Sequence, residues 1–157
     1  MSGQADQITV GFKGISIAPN STEKYCLSLN SKVALTVDNC SISGTWCAIY
    51  ALGPNANQAR GDYGAQDSAI TVTNSVISCV SRGVSTNDFG AFVTHAKNVS
   101  YNIMNTSVTL TMTANNHQLS VFYAGELGNG VKGNNGSMVF GEGCTLTVNK
   151  GDYTGTK

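Results

Sequence analysis

Side chains able to do chemistry gather in three segments of this chain. Residues 52–68 carry Arg60, Asp62 and Asp67, residues 95–98 carry His95 and Lys97, and residues 125–143 carry Glu126, Lys132 and Glu142. Carboxylates facing a histidine or a lysine can move protons as general acids and bases. The same oxygens can hold a hard cation. Tyr63, next to Asp62, adds a ring face of the kind that stacks on sugars. These nine residues form the candidate binding set. Charge also collects in loops simply because loops are wet.

Catalytic signatures are missing. There is no Gly-x-Ser-x-Gly elbow, and His95 and His117 are the two histidines. A paired-carboxylate hydrolase needs two acids at a fixed separation, yet no Asp or Glu recurs at one place in neighbouring repeats. No calcium-loop run and no Cys/His zinc spacing occurs, so no metal or cofactor is expected. The reading leans to a non-enzymatic protein, with a polysaccharide lyase or glycoside hydrolase working at the charged segments as the alternative.

The elements that position these segments come from the rest of the sequence. Charged residues are 11% of the 157, nine basic and nine acidic. That balance offers no basic face to replace counterions on phosphate, so nucleic acid is not an expected partner. No run of about 18 apolar residues occurs, so membrane insertion is not expected. Apolar residues reach 41% and fall in short alternating runs, which a disordered chain lacks. Eighteen glycines, abundant Asn, Ser and Thr, and two prolines describe short strands joined by tight turns. The five cysteines, Cys26, Cys40, Cys47, Cys79 and Cys144, read as reduced small hydrophobes. One disulfide, Cys40 or Cys26 with Cys47, is the alternative.

Aligned against itself, the chain repeats. Leu35-Thr-Val-Asp-Asn39-Cys-Ser-Ile42 matches Ile70-Thr-Val-Thr-Asn74-Ser-Val-Ile77 and Tyr101-Asn-Ile-Met-Asn105-Thr-Ser-Val108. Weaker copies start at Ile8 and Leu146, with the Asn replaced. A second motif alternates with the first, at Tyr25–Leu29, Cys47–Ala51, Gly90–Thr94 and Ser120–Ala124. Strands that hold register while loops vary are the mark of a solenoid.

The bend explains the Asn. Where a strand turns a corner, one residue leaves the β region, and Asn tolerates the left-handed conformation. Asn39, Asn74 and Asn105 are therefore expected in one column, each bonding its neighbour about 4.8 Å away. Val37, Val72 and Ile103 should stack in one inward column, and Ile42, Ile77 and Val108 in another.

This strand–Asn–strand pattern, over roughly residues 25–153, resembles the right-handed parallel β-helix, or pectate-lyase-like, superfamily. The resemblance implies an all-β domain spanning 1–157, a short right-handed parallel β-helix of about four to five coils, with residues 1–24 as N-terminal coil or cap. The superfamily includes lyases, hydrolases, tailspikes and adhesins, and no family-specific catalytic signature carries over. A β-sandwich or jelly roll, serving as a lectin or shell protein, is the competing architecture.

Function follows as expectation. The three charged segments leave one corner and would line one side of the solenoid, with 52–68 and 125–143 flanking a shallow polar site floored by 95–98. Trp46, Tyr50, Phe89, Tyr101 and Tyr123 add aromatic faces. A polysaccharide or cell-surface glycan is the expected partner of that side. The coil ends, with open strand edges, suit self-association. An adhesin-like or self-assembling protein that is secreted, on the cell surface or in a virion fits both. The N-terminal Met-Ser-Gly-Gln-Ala-Asp-Gln lacks the basic and apolar regions of a secretion signal. Export would then use another route, or this is a mature form.

Overall fold

Alternation of apolar and polar residues, broken every few residues by an Asx or Gly corner, lays the chain down as stacked coils. The structure is a computed structural model that describes residues 6–18, 25–44, 47–52, 64–80, 90–112, 120–125 and 135–149. The first coil holds β1 (Ile8–Lys13), β2 (Ser16–Ile17) and β3 (Tyr25–Leu29). The second holds β4 (Val33–Asp38), β5 (Ser41–Gly44) and β6 (Cys47–Ala51). The third holds β7 (Ala69–Thr73), β8 (Val76–Val80) and β9 (Gly90–Thr94). The fourth holds β10 (Ser100–Met104), β11 (Ser107–Thr111) and β12 (Ser120–Ala124). The last adds β13 (Ser137–Phe140) and β14 (Thr145–Asn149).

Like strands stack on like. The first sheet runs β1-β4-β7-β10-β13, the second β2-β5-β8-β11-β14, and the third β3-β6-β9-β12. Every pairing among the described strands is parallel. A sandwich or jelly roll needs antiparallel neighbours, so the fold is a short parallel β-helix.

The core follows from the pattern. Val37, Ile42, Val72, Ile77 and Ile103 are 0% exposed and Val108 is 1% exposed. Each such side chain contributes about 1.5–3 kcal/mol of burial. The third sheet differs. All five residues of β6 and of β9 are buried, so both faces of those strands are covered. The five cysteines are free thiols, with Cys40, Cys47 and Cys79 buried.

Register corrects the two outer copies of the repeat. Leu35, Ile70 and Tyr101 pair in series as the motif aligned them. Val10, not Ile8, is the partner of Leu35. Tyr101 pairs with Met138, while Leu146 pairs with Val108 on the other arm of the corner. Leu35-Thr-Val and Leu146-Thr-Val share letters because every strand here alternates inward and outward residues. The corner residue tells them apart. Gly14 and Gly143, at φ 65° and 71°, take the left-handed place that Asn holds in the middle coils.

Candidate functional site

Two corners and two ends offer surfaces for chemistry. At the corner between the first and second sheets, Asn39, Asn74 and Asn105 adopt φ of 53°, 52° and 46°. Each backbone N–H donates to a carbonyl of the next coil: Asn39 to Thr73, Asn74 to Met104 and Asn105 to Glu142, at 3.1, 3.2 and 2.9 Å. The amide side chains are exposed, and they do not form the expected Asn-to-Asn ladder among the described residues. Asn74 instead donates Nδ2 to Asp38 Oδ1 at 2.9 Å, where Thr73 Oγ1 also donates at 3.0 Å. Lys13 Nζ lies 3.2 Å from the other Asp38 oxygen. The Asn74 amide, then the Thr73 hydroxyl, then Lys13 hold the Asp38 carboxyl below the usual aspartate range.

Beneath this exposed network runs a buried one. The residue after the left-handed positions 39, 74, 105 and 143 is Cys40, Ser75, Thr106 or Cys144. Ser75 Oγ accepts from the Cys40 N–H at 3.1 Å and donates to the Thr73 carbonyl at 2.6 Å. Thr106 Oγ1 accepts from the Ser75 N–H at 3.4 Å and donates to the Met104 carbonyl at 2.8 Å. These hydroxyls satisfy backbone groups the bend removes from the sheet ladder. In the repeat the position reads only as small.

A second left-handed corner precedes the first sheet. Asp67, Asn98 and Asn135 have φ of 56°, 55° and 45°. Asn98 Nδ2 donates to Asp67 Oδ1 at 2.9 Å, and Asn135 Nδ2 to Asn98 Oδ1 at a longer 3.4 Å. The Asp67 N–H donates to the Lys97 carbonyl at 3.0 Å. This is the ladder of side chains along the axis, one corner away from where the repeat motif places it. Its sequence signal is an Asp or Asn three residues before Ile70, Tyr101 and Met138.

Of the nine candidate binding residues, this corner brings together Asp67, His95 and Lys97. Asp67 is exposed and Lys97 half-buried. His95 is only 4% exposed, and its Nδ1 lies 2.9 Å from the Tyr50 hydroxyl. Its ring packs edge-on against Tyr50 and Tyr123, at centroid distances of 5.3 and 5.9 Å. Tyr25 stacks on Tyr50 at 4.3 Å. His95 and Tyr50 therefore act here as packing groups that fix the corner. Glu142 sits elsewhere, at the Asn corner, because β13 interrupts the segment read as one long loop over 125–143. Arg60, Asp62, Tyr63, Glu126 and Lys132 lie outside the described residues, as do Trp46, Phe89 and His117. Among the described residues no group of three or more His, Cys, Asp or Glu gathers to hold a metal.

The ends carry apolar surface. Phe140, Leu146 and Val148 continue the columns of Ile103, Val108 and Leu110, which are at most 1% exposed. With no coil above them among the described residues, they are 36%, 45% and 53% exposed. Among the described strands β13 and β14 each pair on one side only, and at the other end so do β1 and β2. Ile8 and Ile15 are exposed there, with Val10 and Phe12 half-covered.

No protein-family model, curated protein or solved structure matches this chain.

Proposed function

We propose that this chain is a non-enzymatic structural module of the pectate-lyase-like architecture whose working surfaces are the ends of its solenoid. The observation that carries this reading is the open core at β13 and β14. Phe140, Leu146 and Val148 are core-column residues left facing water, beside two strand edges whose N–H and C=O groups have no neighbouring strand among the described residues. Edges of that kind pair with another chain unless blocked. Exposed apolar area rimmed by polar groups is likewise a mark of association. A self-assembling protein of a secreted, cell-surface or virion setting fits both features. Sedimentation velocity over a wide concentration range tests it. The native chain should associate, and Leu146→Lys, which places a charge on the exposed column, should return it to monomer. A native chain that stays monomeric throughout overturns the reading.

Glycan binding at the loop corner is the second reading, favoured by the exposed Asp67–Asn98–Asn135 ladder. It presents polar groups at a repeat of about 4.8 Å, next to the Lys97 stem. A glycan array with native protein and Asn98→Ala tests it. No bound glycan, or binding unchanged by the substitution, counts against this corner.

A further inference from the structure

Following the assembly reading, we infer that the occupant of the C-terminal end is the N-terminal end of a second copy, seated head to tail so that β1 pairs with β13 and β2 with β14. Column continuity sets the register. Phe12, Val37, Val72, Ile103 and Phe140 succeed one another up the first sheet. The next member of that column is Phe12 of the second copy. In the second sheet Ile17, Ile42, Ile77, Val108 and Leu146 form the matching series, so a second Ile17 follows Leu146. Both ends present parallel strands running the same way. A second copy in this orientation extends the first and second sheets without reversing them.

Charge selects this occupant over others. At the Asn corner each left-handed residue donates its N–H to the coil above, and the acceptors in order are Asp38, Thr73, Met104 and Glu142. Lys13 stands at the foot of that series, paired with Asp38 in register. Its side chain is 81% exposed even while it meets Asp38 at 3.2 Å. Glu142 stands at the top of the same series and is exposed. Stacking head to tail places Lys13 of one copy directly after Glu142 of the other, between two carboxylates. Gly143 then donates its N–H to the Lys13 carbonyl of the next copy, as Gly14 donates to Asp38 at 3.0 Å within one chain. Two C-terminal ends face to face would bring Glu142 against Glu142. Such a heterologous contact does not close on itself and builds an open filament.

Charge-reversal variants read this register by sedimentation and light scattering at low salt. Lys13→Glu alone and Glu142→Lys alone should each associate about tenfold more weakly than the native chain. Mixed in equal amounts they should recover association. In the mixture each contact between unlike variants joins Lys at 142 to Glu at 13, or Glu at 142 to Lys at 13, so alternating stacks are favoured. Added salt should shrink the differences. Circular dichroism matching the native chain establishes that the variants fold. If Leu146→Lys dissociates the assembly while the two charge variants and their mixture behave as native, the ends associate but this register is wrong. If only Glu142→Lys has an effect, the contact joins two C-terminal ends. A native chain that is monomeric at every concentration overturns the assembly reading and this inference with it.

Discussion

The amide of Asn74 reaches Asp38 one coil away, at 2.9 Å, while its own backbone stands in the left-handed region at φ 52°. One residue thus does two separable jobs. It supplies a backbone conformation that most side chains resist, and it holds a carboxylate in place.

Substitution separates the two. Asn74→Ala should cost about 1–3 kcal/mol, from left-handed strain of about 1–2 kcal/mol together with the lost bond to Asp38. Asn74→Gly relieves the strain and loses only the bond, so it should fall closer to the native protein. Urea unfolding midpoints rank the three chains. A glycine variant as unstable as the alanine variant would show that the conformation contributes little.

Asp38 gives the fold a pH dependence of known sign. Its folded carboxyl titrates below the ordinary aspartate value, so the unfolded chain binds the proton more readily. The stabilisation is complete above about pH 4, the unfolded value, and fades as pH falls toward the lower folded one. Asp38→Asn should flatten the acid side of the stability curve and leave its shape near neutrality unchanged. Urea titrations from about pH 3 to pH 6 on both chains test the difference.

In the core, Val72→Ala should destabilise by about 1–3 kcal/mol, through lost transfer energy and the cavity left behind. Val72 is 0% exposed and stands between Val37 and Ile103 in its column. Val76→Ala, on a residue 52% exposed in the adjoining strand, should cost far less. Equal losses at the two sites would contradict the assignment of inward and outward faces.

The thiols should react in an order set by burial. Desolvation pushes the Cys79 thiol up to about 12, raises Cys47 well above its usual value and takes Cys26 to about 11. A higher value leaves less thiolate, which is the reacting form. Under native conditions iodoacetamide should modify half-exposed Cys144 ahead of Cys47 and Cys79, and these two should react only as the chain opens. Peptide mass spectrometry over time gives the order.

How much of this was legible beforehand depends on where in the coil stack a residue falls. The three middle coils could be read because Asn39, Asn74 and Asn105 keep one offset from their apolar neighbours. The six core residues named from that offset are all buried. At the outer coils glycine replaces Asn, and an alternating strand on one side of a corner is indistinguishable by pattern from one on the other. The pattern therefore places Leu146 in the first sheet and Glu142 beside Lys97, whereas the register sets Leu146 on Val108 and Glu142 at the Asn corner. The Asp67–Asn98–Asn135 corner escapes the repeat for another reason. Its members sit in segments of unequal length, where an Asp or Asn reads as loop polarity and not as backbone geometry. The packing of His95 against Tyr50 and Tyr123 had no local signal, since it joins three coils.

Among the described residues the third sheet holds four strands where the first and second hold five. The described C-terminal end is thus a ramp with a riser one strand high, about 4.8 Å, as on the end turn of a cut screw. A flat three-sided end would accept a mate at any of three rotations that bring side onto side. A stepped end makes the three rotations unequal, because only one sets the gap over β12 beneath the mate's β3. Angular indexing between stacked units would then come from the pitch of the chain itself, as the teeth of a dog clutch fix one shaft to another.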